Sequence, residues 1–180
     1  MTRVLLGASA SVALYKACDL ASKLSQAGHA VRTVLTPRAA QLVSPQLFEA
    51  VTGESAQVDE FGPRRRGAMD HIELADWAEL LLVAPASADL IARLALGLAD
   101  DLLTTVALAL ASGRSRLICP AMNPAMLAAA PLQRHLATLR GDGWEVMEPA
   151  EGHMACGDEG KGRLPEPAAI LERMARLGLS

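Results

Sequence analysis

Short apolar runs that alternate with helical patterns predict an α/β fold: a doubly wound (Rossmann-like or flavodoxin-like), mainly parallel sheet with helices on both faces. Two observations carry this reading. Runs such as RVLLGA (Arg3 to Ala8) and ELLLVA (Glu79 to Ala84) are apolar without alternation, as strands buried on both faces are. The segments after such runs are small, hydroxylated or prolyl: GASAS, LTPRA, APASAD and CPAMN. In doubly wound folds ligands gather at those carboxyl ends of the strands.

The elements follow in order. Arg3 to Ala8 reads as a strand. Leu14, Ala17, Cys18, Ala21 and Leu24 then share one helical face, with Ser9 or Ser11 as candidate cap and Gly28 as stop. Ala30 to Leu35 reads as a second strand. Ser44-Pro45 opens a helix that Gly53 closes. Gly53 to Asp70 is polar and rich in Gly and Pro, hence mostly loop, with a short edge strand near Ala56 to Val58. Glu79 to Ala84 is the next strand, and Ser87 caps a helix through Leu96. Asp100 to Ala111 is helical, Leu117 to Cys119 a strand, Leu132 to Arg140 a helix and Trp144 to Met147 a strand. Glu148 to Glu166 reads as a Gly-rich loop before a last helix from about Pro167 to Leu177. Its glycines argue against a rigid element, so about 151–166 is expected to be a mobile flap.

Composition narrows the function. The 180 residues, 51% of them hydrophobic, suit a single domain over 1–180 with one well-buried core. A formal charge of -3 offers no electrostatic case for nucleic acid. The run Arg64-Arg65-Arg66 reads first as a solvated loop, with an anionic substrate or a subunit salt bridge as alternatives. No apolar stretch approaches the ~18 residues needed to span a membrane, and the N-terminus reads as a strand entering a helix rather than a signal peptide. Cys18, Cys119 and Cys156 are far apart and lack CxxC spacing, which fits a reduced, cytoplasmic protein. His153 near Cys156 has no second ligand pair, so no metal is expected.

Five segments carry candidate chemistry. Gly7 to Val12 lets a backbone approach a ligand and offers helix N-terminal N–H groups to an anion, or is merely a tight turn. Thr36 adds a hydroxyl at the same edge or ends its strand. His71, in MDHIEL, is the side chain type that exchanges a proton near neutral pH, though a lone histidine is often structural. Ala84 to Asp89 describes a loop lying against something flat or anionic. Asn123, in PAMNPAM, can donate to a carboxylate or cap the next turn. Cys156 sits among glycines, where a thiol is exposed rather than structural.

HIEL with WA, APASAD, PAMN with Met126, and ACGD with GKGRLPEP occur in that order, and together they resemble the homo-oligomeric flavin-containing cysteine decarboxylases. The resemblance runs from VLLGAS to GRLPEP and is nearest the phosphopantothenoylcysteine decarboxylases, in the form found at the N-terminal end of the bifunctional bacterial enzyme. Because the chain stops at Ser180, the synthetase domain of that enzyme is expected to be absent, and a separate synthetase is a possible partner.

The resemblance implies an FMN site made by Ser9, Ala10, Ser11, Val12, Thr36, Arg38, Ser87, Ala88, Asp89 and Ala121. It implies that His71 and Cys156 are catalytic and that Asn123, Met126 and Ala155 bind substrate, with Asn123 gripping the carboxylate. The implied reaction decarboxylates 4'-phosphopantothenoylcysteine to 4'-phosphopantetheine in coenzyme A biosynthesis. The thiol carbon is oxidised to a thioaldehyde with flavin as hydride acceptor, CO2 leaves, and the enethiol is reduced, with Cys156 supplying a proton. The implied assembly is a homo-oligomer, a trimer or a dodecamer of trimers, with flavin at a subunit interface. A peptide C-terminal cysteine decarboxylase and a non-catalytic flavin-binding regulatory protein are the alternatives. The first does not need Cys156, and the second could lose His71, Asn123 or Cys156 without penalty. Asp89-Leu90 stand where the family often has Asn-Thr, and Leu127 stands where it often has an aromatic residue.

Overall fold

In the computed structural model, which describes residues 1–62, 67–153 and 159–179, six parallel strands form one sheet. They are β1 (Arg3–Ala8), β2 (Ala30–Leu35), β3 (Ala56–Gln57), β4 (Leu80–Ala86), β5 (Ser115–Pro120) and β6 (Glu145–Val146). Their spatial order is β3-β2-β1-β4-β5-β6, the Rossmann order, which reverses between β1 and β4. The helices are α1 (Leu14–Gln26), α2 (Pro45–Thr52), α3 (Asp70–Trp77), α4 (Ala88–Leu96), α5 (Leu102–Ala109), α6 (Pro124–Ala128), α7 (Ala130–Gly141) and α8 (Pro167–Arg176).

The pleat sends alternate residues to opposite faces and so divides the core in two. Val4, Leu6 and Ala8 of β1 meet Leu20 and Leu24 of α1, Phe48 of α2 and Ile170 of α8. Leu5, with Leu81 and Val83 of β4, meets Leu74 of α3, Leu90 of α4, Leu103 of α5 and Leu136 of α7. Every residue of β4 is buried, because both faces are covered.

Helix boundaries follow local chemistry. Ser44 caps α2 and Ser87 caps α4, each accepting from a backbone N–H of the first turn. Asp101 and Thr104 form a reciprocal capping box on α5. Gly97, at φ 68, ends α4 in the left-handed conformation.

The structure departs from the sequence reading in several places, three of which bear on the site. The expected loop of Glu148 to Glu166 contains an antiparallel ribbon, β7 (Ala150–His153) with β8 (Glu159–Arg163). The glycines that suggest a loop do not prevent pairing: Gly152 and Gly160 face each other across the ribbon at φ 135 and 150. Met122 N–H donates to Gly162 O at 3.0 Å, tying the ribbon to the end of β5. His71 lies on a helix, α3, whose short apolar face hid its periodicity. Neither Ser9 nor Ser11 caps α1: its N-cap is Ala13, without a side-chain cap.

Candidate functional site

Site residues collect where β1 and β4 diverge. The Ser9 side chain is buried there as a brace: its hydroxyl donates to Pro85 O at 2.9 Å and accepts from Ser87 N–H at 2.7 Å. Its oxygen therefore holds the two strand ends together at the edge of the cleft. Beyond Ser9, the backbone N–H groups of Ala10, Ser11 and Val12 have no backbone acceptor among the described residues. Ser11 Oγ accepts from Ala13 N–H at 3.2 Å, shaping the turn into α1. Consecutive undonated N–H groups at a helix start form a cradle for a phosphate. Thr36 joins β2 to this edge: its N–H donates to Ala8 O at 3.0 Å, and its Oγ1 accepts from Ala39 N–H at 3.2 Å.

Two clefts flank the turn. One, of about 450 Å³, is lined by Ser9, Ala10, Thr36, Arg38, Ser87, Ala88, Asp89 and Met126. Its far wall is charged. Arg93 lies 2.8 Å from Asp100 and Asp101, and its Nε is 3.3 Å from Asp89 Oδ2 without hydrogen-bond alignment. Burial opposes the guanidinium charge, but the bonds from Asp100 and Asp101 outweigh it and raise the Arg93 pKa. The same hydrogen bond lowers the pKa of Asp100. Asp89 thus serves Arg93 as well as the cleft.

The second cleft, of about 290 Å³, is lined by Ser11, Val12, Lys16, Ala121, Asn123 and Arg163, among others. Asn123 is the N-cap of α6, and its Oδ1 accepts from Ala125 N–H at 2.7 Å. The cap places the Asn123 amide on the wall of this cleft, and an amide is a group type that can donate to a carboxylate. Lys16 is buried and crosses to the base of the ribbon, with Nζ 2.6 Å from Glu166 Oε1 and 3.4 Å from Leu164 O.

The structure thus brings together Ser9, Ala10, Thr36, Arg38, Ser87, Ala88, Asp89 and Met126 around one cleft, and Ser11, Val12, Ala121 and Asn123 around the other. His71 lines neither. It lies in the first turn of α3, and its Nδ1 is 2.9 Å from Glu60 Oε2. Ala155, Cys156 and the run Arg64-Arg65-Arg66 lie outside the described residues. Cys119 is buried in the core, and burial pushes its thiol up to about 12, so it is no nucleophile. Among the described residues no group of three His, Cys, Asp or Glu is placed to hold a metal, and no helix is long and apolar enough to cross a membrane.

Sequence reasoning missed Arg93, Lys16 and Glu60. Arg93 was signalled by Asp89 four residues before it on one helix. Lys16 meets its partner 150 residues away, which no local pattern announces.

Comparison with known proteins gives a consistent picture. The family described as Flavoprotein matches residues 1–177. The Coenzyme A biosynthesis bifunctional protein CoaBC of Bacillus subtilis is 44% identical over 169 residues, which is 94% of this chain and 41% of that protein. The same protein of Escherichia coli is 39% identical over 170 residues, again 94% and 41%. The chain therefore spans about two fifths of these curated relatives. Among solved structures, a PPC decarboxylase mutant complexed with pantothenoylaminoethenethiol superposes with a TM-score of 0.89 at 30% identity, covering 99% of both chains. The FMN-dependent cysteine decarboxylase SpaF gives 0.83 at 30% identity, covering 100% of this chain and 98% of that one.

Proposed function

The chain belongs to the Flavoprotein family, and from that premise we propose that it is an FMN-dependent decarboxylase of 4'-phosphopantothenoylcysteine, forming 4'-phosphopantetheine for coenzyme A biosynthesis. The observation that carries the reading is the pair of clefts on either side of the Gly7 to Val12 turn. One presents hydroxyl and small residues, and the other presents the Asn123 amide. The N–H groups of Ala10, Ser11 and Val12, which have no backbone acceptor among the described residues, fit a phosphate, and Ala10 and Ala88 leave room for a flat ring system. The similarity to CoaBC and to a PPC decarboxylase supports the substrate.

Bound FMN would supply the hydride acceptor that makes the substrate's thiol carbon able to stabilise charge when CO2 leaves. The residues of the chain do the rest. Asn123 holds the departing carboxylate through its amide N–H donors. His71 takes a proton from the substrate. Cys156 returns a proton in the last step, and its presence favours full reduction over a peptide cysteine decarboxylase, which stops at the enethiol.

Because His71 lines neither cleft, the proposed active site is completed by a second copy, in a homo-oligomer built on trimers. Val12, Tyr15 and Met126 support this: all three border the clefts and are exposed in the single chain. A cytoplasmic setting and a separate synthetase partner complete the proposal, and the bifunctional name of the relatives supports the partner.

The test is direct. The purified protein is expected to be yellow with FMN and to release CO2 from phosphopantothenoylcysteine. Mixed oligomers of His71→Asn and Asn123→Asp chains should recover activity that neither variant has alone. A colourless protein whose melting is unchanged by FMN would overturn the cofactor assignment. Mixed oligomers without recovery would overturn the shared site.

A further inference from the structure

We propose that Glu60 is the positioning residue for His71: its carboxylate accepts the Nδ1–H and so presents Nε2 as the proton-accepting nitrogen of the ring. The inference rests on the reading of His71 as a catalytic base and goes beyond it by naming what sets that base.

The geometry is specific. Glu60 Oε2 lies 2.9 Å from His71 Nδ1, across a sequence separation of 11 residues. Both side chains are largely withdrawn from water, at 23% and 28% exposure. Glu60 does not reach the ring from a free segment. Asp59 builds a turn around it, with Oδ1 accepting from Phe61 N–H at 2.9 Å and its carbonyl accepting from Gly62 N–H at 3.2 Å.

The helix that carries the ring is anchored from beneath. Asp70 is buried, and it accepts from Gln57 Nε2 and from Gly67 N–H, each at 2.6 Å. The next acid on α3, Glu73, faces Arg32 at 3.2 Å. Asp70 and Glu73 are thus committed elsewhere, and Glu60 is the carboxylate in contact with the imidazole among the described residues.

An ionised carboxylate carries no proton and can only accept. The nitrogen facing it must therefore carry the proton, and the lone pair falls on Nε2. When Nε2 takes a proton from substrate, the Glu60 carboxylate offsets the positive charge the ring acquires, as the carboxylate of a serine-protease triad does. Had the ring adopted the other tautomer, two acceptors would face each other at 2.9 Å and Nε2 would be blocked by its own hydrogen.

The test uses the FMN-loaded oligomer with histidine labelled in the ring nitrogens, and His71→Asn identifies the relevant NMR signals. In the unaltered protein His71 is expected as the Nδ1–H tautomer. Glu60→Ala should shift the ring toward Nε2–H and lower kcat for CO2 release about ten- to a hundredfold, a fraction of what a general base contributes. KM, FMN content and oligomer size should hold. Glu60→Gln, whose carbonyl still accepts, should keep the tautomer and lose only the part of kcat due to charge. Glu60→Asp should restore part of kcat. If Glu60→Ala leaves both tautomer and kcat unchanged while His71→Asn is inactive, the positioning role falls and the base remains. If His71→Asn releases CO2 at the full rate, the reading of His71 itself falls.

Discussion

Alanine at Gly7 separates two reasons for a small residue at the end of β1. In the sequence, Gly7 looks like a place where backbone approaches a ligand. In the structure, a Cβ added there would lie 2.5 Å from Leu103 Cδ1, 3.0 Å from Cδ2 and 3.3 Å from Cγ. Carbon atoms prefer about 3.5–4.0 Å, so the new methyl overlaps the leucine by roughly 1 Å. Leu103 cannot swing into solvent, because it is 0% exposed and packed with Leu5, Leu74, Leu81 and Val106. Overpacking of this kind costs about 1–3 kcal/mol. At about 2–4 °C per kcal/mol for a chain of this size, a 2 kcal/mol loss lowers the melting midpoint by about 4–8 °C. Leu103→Ala alone should cost about 2–5 kcal/mol through its cavity. The two changes together should cost less than their sum by about 1–3 kcal/mol, because the added methyl fills part of the space vacated. The assay is thermal unfolding of cofactor-free protein at one fixed concentration, with FMN affinity measured in parallel. Strict additivity, or an unchanged midpoint with weakened FMN binding, would show that Gly7 serves the ligand and not helix α5.

Three further outcomes are expected. Asn123→Asp should keep the cap on α6, since a carboxylate oxygen can accept from Ala125 N–H. It should nevertheless repel the substrate carboxylate, and product mass spectrometry should find CO2 release reduced at least about a hundredfold. Cys156→Ser should decarboxylate normally but accumulate the enethiol. Losing about 3 kcal/mol in the return step slows it roughly a hundredfold, and normal turnover by this variant would refute the role. The hydrogen bond from Lys16 lowers the Glu166 pKa. Its contribution is therefore present above the unfolded carboxylate value of about 4.3 and is lost as pH falls through the lower folded value. Melting profiles against pH should show a shallower acid decline for Glu166→Gln than for the unaltered protein, and identical profiles would discount the bridge.

Much of the architecture was legible because its signals are local. Apolar runs without alternation announced β1, β4 and β5 as buried strands. Ser44-Pro45 and Ser87 announced helix starts, since a cap and its N–H partner lie within one turn. The ribbon β7–β8 was not legible. Glycines such as Gly152 and Gly160 suggest a loop from the sequence, but strand pairing is a relation between distant backbones and glycine does not forbid it. The same divide runs through the site. Residue types and their order marked the segments at the strand ends, because small and hydroxylated residues are chosen one by one for what can approach them. Only the tertiary structure decided their use. It turned Ser9 inward to join β1 to β4, set Gly7 against Leu103, and placed Glu60 on His71. It also parted His71 from the cleft that holds Asn123. Each of these is a distance between groups far apart in the chain, set by how helices pack on the sheet, and no neighbouring residue records it.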